Sequence, residues 1–369
     1  MSFLRCMPSV FVIGKEYEIL LILKAYGLCY VQVGDEVYYE ENSGVLPSER
    51  HIAKIRVPQS ALDEAKGYTV MFRETEERKS YFSTFKPMQT QEYAFKPLTK
   101  TEDIHIYHIA DVHYRFDEAK KMASYFGDDT DLFVVNGDIG EVETEENFFE
   151  VCEFVGEISQ GEIPVIFVRG NHDTRGCLAE LYSKYFPVEG QKTYFSFEVG
   201  CLNGVALDCG EDKPDQNREY DNSDGVPEAL RGINRFHAYR EQQLQFLKKT
   251  SLNSQEKIPF AISHVCPVKC ATQVNGPFDI EREVYSKWNA ELERMNIKFM
   301  LCGHFHTAFV LKKDDERNFL PHEYPVVVGS VCLKDSLMGA AITLNRDSMK
   351  VCLTDVAHTV AETYEFPLP

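Results

Sequence analysis

The chain has no long apolar run, little positive charge and a single tryptophan. Its 369 residues include 39 Lys or Arg against 58 Asp or Glu, a formal net charge of −19. The early apolar stretch Ile19–Leu23 is closed off by Glu18 and Lys24. Crossing a bilayer takes roughly 18–20 apolar residues, so no membrane role is expected. No leader-type apolar core opens the chain. A cytoplasmic location is the expectation, with the eleven cysteines, an odd count, kept reduced. The Lys/Arg stripe of a nucleic-acid binder is missing. Residues 1–100 hold 13 basic and 13 acidic residues, so the whole excess lies in 101–369. That part should repel long polyanions, and no nucleic-acid partner is expected. There is no internal repeat, and no pattern that speaks to oligomeric state.

Five short polar blocks recur in the acidic part. They are Asp111-Val112-His113, Gly137-Asp138, Gly170-Asn171-His172-Asp173, Ser263-His264 and Gly303-His304-Phe305-His306. Each follows an apolar run that reads as a buried strand: Ile104–Ala110, Leu132–Asn136, Pro164–Val168, Ile258–Ile262 and Ile297–Leu301. Amphipathic stretches lie between them, over Phe116–Phe126, Glu145–Ser159, Phe236–Thr250 and Ile280–Met295. Alternating strand and helix predicts an α/β layered fold, in which ligands gather at the carboxyl ends of strands. Asp and neutral imidazole suit Zn²⁺, Fe and Mn²⁺, and an amide oxygen adds a neutral donor.

Pattern and order resemble the calcineurin-like metallophosphoesterases, over roughly residues 101–369. The resemblance implies an αββα sandwich and two divalent or trivalent metal ions (Mn, Fe or Zn). Asp111, His113, Asp138 and His306 would hold one ion. Asp138, Asn171, His264 and His304 would hold the other, with Asp138 shared. A hydroxide between the ions would attack a small phosphomonoester. His172 would protonate the leaving oxygen or hold the phosphoryl group. One alternative is a phosphodiesterase acting on cyclic nucleotides or other small diesters, because the run Asn171-His172-Asp173-Thr174-Arg175 is similar to one in such members of the family. The other is a non-catalytic binding scaffold, against which the complete ligand set argues.

Around these blocks, Asp173 either orients His172 or caps the following helix. Arg169 and Arg175 are candidate phosphate clamps or plain salt-bridge partners, and Tyr114 and Arg115 lie on the same rim. Glu141 stands where purple acid phosphatases carry an iron-ligating Tyr. It either partners His172 or begins the acidic helix, and no tyrosinate–iron colour is expected. Cys266 and Cys270 are shell thiols or, less simply, a third metal site. The polar stretch Cys209–Asn234 is long enough to fold over the site. Arg218, Tyr220 and Arg231 within it, and His237 just after it, are the candidates for touching substrate.

Residues 1–100 read as many short β-runs, with turns expected at Gly27, Gly34-Asp35, Asn42-Ser43-Gly44 and Lys66-Gly67. The expectation is an immunoglobulin or fibronectin III-like all-β sandwich ahead of the catalytic domain, as in some purple acid phosphatases. The division falls at 1–100 and 101–369.

Overall fold

The computed structural model describes residues 2–212, 233, 235–269 and 282–368. In the front part run β1 (Ser9–Ile13), β2 (Glu16–Val33), β3 (Glu36–Tyr38), β4 (Arg50–Pro58), helix α1 (Gln59–Ala65), β5 (Gly67–Glu77), β6 (Thr84–Phe85) and β7 (Gln89–Ala94). Then come β8 (Ile104–Ile109), α2 (Phe116–Ala123), β9 (Leu132–Asn136), α3 (Glu145–Ser159), β10 (Pro164–Val168) and α4 (Tyr182–Tyr185). The third group is β11 (Phe195–Val199), β12 (Leu202–Leu207), α5 (Phe236–Lys249), β13 (Ile258–Ser263), α6 (Arg282–Arg294), β14 (Phe299–Cys302), β15 (Phe309–Leu311) and β16 (Val326–Val328). The chain closes with β17 (Val331–Leu333), β18 (Ser336–Leu344), β19 (Ser348–Asp355) and β20 (Val360–Pro367).

One sheet is ordered β20-β19-β18-β8-β9-β10-β1-β2-β5-β6, with β17 on β18, β3 and β4 on β2, and β7 on β5. The other is ordered β11-β12-β13-β14-β16-β15. Their inner faces share a core, where Ile106, Val134 and Ile166 meet Phe260, Ile262 and Leu301. The outer face of the first sheet packs on α2, α3 and α4 through Phe133, Phe148, Val151 and Tyr185. The outer face of the second packs on α5 and α6 through Leu244, Trp288 and Leu292. This is the αββα sandwich. Each fully buried Val, Ile or Phe contributes roughly 1.5–3 kcal/mol. Helix α3 starts where expected because Thr144 and Asn147 form a reciprocal capping box ahead of it.

The neighbouring strands β8, β9 and β10 are parallel, as are β12, β13 and β14. Their carboxyl ends therefore open along common edges, and all five polar blocks sit there.

The front segment is β-rich, as expected, but its hydrogen bonding does not stop near residue 100. Strand β1 lies parallel to β10, with Val10 opposite Pro164 and Phe11 opposite Val165. Val12, Leu21, Ile55, Val70 and Phe95 belong to the same core as the catalytic strands. The turn expected at Gly27 is absent. β2 passes straight through it, with a register shift against β4 between Ile22 and Gly27. Gly27 serves close approach instead, since a Cβ there would lie 2.2 Å from Arg73 O. Within the run Tyr81–Phe85, only Thr84–Phe85 forms a strand. The run's first two rings stand in solvent, Tyr81 92% and Phe82 82% exposed.

Candidate metal centre

The donors converge on two sides of Asp138. On one side, His113 Nε2 and His306 Nε2 are 3.2 Å apart, and His306 Nε2 is 3.3 Å from Asp111 Oδ1. On the other, Asn171 Oδ1 lies 3.0 Å from His304 Nδ1 and 3.2 Å from both Asp138 Oδ2 and His264 Nε2. His264 Nε2 is also 3.1 Å from Asp138 Oδ2. Ligands at right angles around a cation, each about 2.1 Å from it, stand about 3.0 Å apart. The spacing fits donors gathered around cations.

Three groups of His and Asp atoms each lie within 4.8 Å: Asp111, His113 and His306; His113, Asp138 and His172; and Asp111, Asp138 and His264. The Asn171 amide is a second test of fit. Its oxygen faces a carboxylate oxygen and imidazole nitrogens, which is repulsive unless a cation lies between them. Turned over, the amide nitrogen would donate to the same atoms and its oxygen would accept from Arg175 Nη2 at 3.1 Å. Asp111 Oδ1 is likewise buried without a hydrogen bond. These residues fit a divalent metal.

The backbone at this edge is unusual. Asp111, His113, Asp138, His304 and His306 have φ of 52°, 44°, 54°, 77° and 50°. Left-handed backbone costs a non-glycine residue of order 1–3 kcal/mol and persists only where surroundings impose it. Those surroundings are tight. Gly137 has φ 78°, and a Cβ on it would lie 2.5 Å from Gly170 Cα and 2.7 Å from His264 Nδ1.

Other residues hold the donors in place. His264 Nδ1 donates to Asn136 O at 2.6 Å, which leaves Nε2 to face the carboxylates. Ser330 Oγ donates to Asp111 Oδ2, and His304 N donates to the same oxygen at 2.8 Å. His172 N donates to Asp138 Oδ1 at 2.8 Å. Asn136 Nδ2 reaches back to His108 Nε2 at 3.1 Å and Leu301 O at 3.3 Å. Burial keeps His108 neutral, down at about 3. Sequence reasoning missed Asn136 and Ser330. The signals were a lone polar residue ending the apolar strand Leu132–Asn136 and a further strand end at Gly329-Ser330.

Electrostatics follow the same crowding. Burial opposes the charge on His264, but Asp138 and Asp111 raise it to about 10. Burial also opposes ionisation of Asp138, yet His264 holds it well below the usual carboxylate range. Burial, followed by the charge of Asp138, lifts Asp173 to about 7. Burial pushes His172 and His304 down to about 4.

Several expected roles change. Asp173 neither orients His172 nor caps a helix. Its Oδ2 accepts from Gly170 N at 2.7 Å and Asp138 N at 3.2 Å, tying two donor loops together. Arg169 turns away from the donors and pairs with buried Asp208 at 2.7 Å, over the rings of Tyr182 and Tyr239. It lines a side cavity of about 520 Å³ with Thr193 and Phe236. Arg175 does reach the site, with Nη1 3.1 Å from His172 Nε2. Glu211 and Asp212 hold its other nitrogens at 2.6–2.8 Å. A guanidinium thus sits against Nε2 of His172, which also shares a group with His113 and Asp138.

Glu141 is exposed and offers only its backbone to Tyr114. Arg115 is drawn off by Glu118 and the carbonyls of Leu333 and Ser336. His237 is exposed on the first turn of α5. Arg218, Tyr220, Arg231 and Cys270 lie outside the described residues. Cys266 is a buried thiol beside Cys302. No described helix is long and apolar enough to cross a membrane.

Comparison with known proteins agrees with this edge. Over its full length the chain superimposes on PhoD with a TM-score of 0.56 at 11% identity, covering 100% of this chain and 90% of that one. It superimposes on the purple acid phosphatase PPD1 from yellow lupin (Lupinus luteus) seeds with a TM-score of 0.58 at 10% identity, covering 98% and 74%. At such identity the likeness concerns the fold. No curated protein matches the chain significantly in sequence. The profile of the calcineurin-like phosphoesterases matches residues 104–308, the stretch that carries all five donor blocks. The chain belongs to that family of metal-dependent phosphoester hydrolases.

Proposed function

We propose that the protein hydrolyses a small phosphomonoester at a centre of two metal ions. The observation that carries this reading is the convergence of seven donors, Asp138 among them, with neighbouring donors 3.0–3.3 Å apart. Asp111, His113, Asp138 and His306 hold one ion. Asp138, Asn171, His264 and His304 hold the second, with Asp138 common to both. Mn, Fe or Zn in these places supplies Lewis acidity toward phosphoryl oxygens and makes water more acidic.

His172 offers an imidazole N–H to the phosphoryl group or the leaving oxygen. Arg175, beside it, has Nε and Nη2 held by Glu211 and Asp212 and turns only Nη1 toward the site, a single donor for a phosphoryl oxygen. Asp173 keeps the Asp138 and Asn171 loops in register. The acidic charge of 101–369 favours a small ester over a nucleic acid. The ten described cysteines are free thiols, which suits a cytoplasmic location.

The monoester is ranked first on the shared layout with a purple acid phosphatase, a likeness of fold. The diester reading rests on the run Asn171-His172-Asp173-Thr174-Arg175, in which Arg175 Nη1 lies 3.1 Å from His172 Nε2. The test is the rate ratio for a nitrophenyl phosphate monoester and its bis-nitrophenyl diester, with Mn²⁺ and a chelator control. A ratio well above one is expected. A ratio well below one transfers the assignment to a phosphodiesterase, with cyclic nucleotides as the next substrates.

A further inference from the structure

Strand β12 also ends at the donor edge. Its block Asp208-Cys209-Gly210-Glu211-Asp212 reads in the sequence only as the start of a polar loop. In the fold it is a pinned acidic turn. Arg240, itself buried, donates Nε to Cys209 O at 2.7 Å and Nη2 to Glu211 O. Asp208 Oδ1 accepts from Gly210 N at 2.7 Å, and its backbone N donates to Gln243 Oε1 at 2.9 Å. Asp212 N donates to Glu211 Oε1 at 2.9 Å. The turn carries Asp212 to the donor cluster, with Oδ2 3.7 Å from His304 Nε2 and Oδ1 2.6 Å from Arg175 Nη2.

The geometry points to Asp212 as a positioning residue for the metal centre, the carboxylate that fixes which nitrogen of His304 faces the second ion. The inference rests on the two-metal reading above. His304 turns Nδ1 toward Asn171 Oδ1, on the side where Asp138 and His264 converge. An imidazole binds a cation through an unprotonated nitrogen, so its proton must sit on Nε2. Nε2 is the atom that Asp212 faces. A carboxylate behind a metal-binding His holds the ring, fixes the tautomer and strengthens the donor nitrogen.

Arg175 gives the arrangement a second consequence. The same guanidinium touches Asp212 and His172. The second ion's histidine and the substrate-side histidine therefore flank one unit, in which Arg175 is hydrogen-bonded to Asp212 and to His172 and the Asp212 carboxylate lies 3.7 Å from His304 Nε2. Glu211 holds Arg175 at Nε and Nη2, so the unit does not depend on Asp212 alone.

The experiment is a calorimetric Zn²⁺ titration of the metal-stripped full chain, unchanged and as Asp212→Asn and Asp212→Glu. The unchanged chain takes up two equivalents. In Asp212→Asn one equivalent binds about 10–100-fold more weakly, the range for losing such a partner, while the other binds as before. Asp212→Glu restores part of the loss. Nitrogen NMR of the unchanged Zn²⁺-loaded chain, selectively labelled at histidine, gives an independent reading: His304 carries its proton on Nε2. Two equivalents of unaltered affinity in Asp212→Asn, or a proton on Nδ1 of His304, overturns the role of Asp212 and leaves the two-metal reading standing. Failure of the unchanged chain to bind two equivalents overturns the two-metal reading and this inference with it.

Discussion

Along the large sheet, β8, β9 and β10 end in loops that hold Asp111, Asp138 and Asn171 buried, the first two in left-handed backbone. Strands β2, β4 and β5, in the same sheet, belong to a part of the chain with balanced charge. Among the described residues, seven of the ten large apolar side chains that stand exposed lie there, from Tyr26 to Phe82. At the first place, buried charged groups are packed against each other on backbone with unusual φ values. At the second, charges are paired near solvent, as between Arg78 and Glu49 or Lys86 and Glu74, where each pair adds little. Stability is concentrated in the shared core, whereas strain and unbalanced charge are concentrated at the donor edge. A single atom should therefore matter far more at the edge than on the front strands.

The sharpest way to break that comparison is Asp138→Asn. It removes the shared charge, and turnover should fall by more than about 100-fold, beyond what the loss of an outer partner costs. Near-normal rates would end the two-metal reading. Next is removal of residues 1–15. That strips β1 from β10 and exposes a sheet edge that is paired in the intact chain. The shortened protein should aggregate or lose its cooperative melting transition. If residues 101–369 alone fold and turn over substrate, the front strands are a separable domain. Gly137→Ala comes third. It combines a φ of 78° with a 2.5 Å clash against Gly170 and should lower stability by at least about 1–3 kcal/mol, read by chemical denaturation. The smallest effect belongs to the double change Tyr81→Ser and Phe82→Ser, within about 0.5 kcal/mol and without change in turnover. A large loss of stability would mean that the front surface carries packing energy that its exposure hides.

The catalytic strands can be read from the sequence because apolar runs bounded by Gly and a polar block have few alternatives. Leu132–Asn136, Pro164–Val168 and helix Glu145–Ser159 fall where their patterns predict. All seven donors come together for the same reason, since strand ends in a parallel sheet open on one edge. The front runs are harder. Period-two patterns show that a strand exists but not which strand it pairs with. Gly27 reads as a turn until Arg73 O is seen beside it. Nothing local predicts that β1 adds to β10.

The sequence by itself determined the family, the sheet-ended donor set and the acidic balance, because these rest on residue type, order and spacing along the chain. Only the tertiary structure decided that Asp173 ties loops together, that Arg169 is spent on Asp208, and that Asp212 stands behind His304. Those roles depend on which nitrogen or oxygen faces which neighbour from elsewhere in the chain, and that is set by packing, not by local pattern.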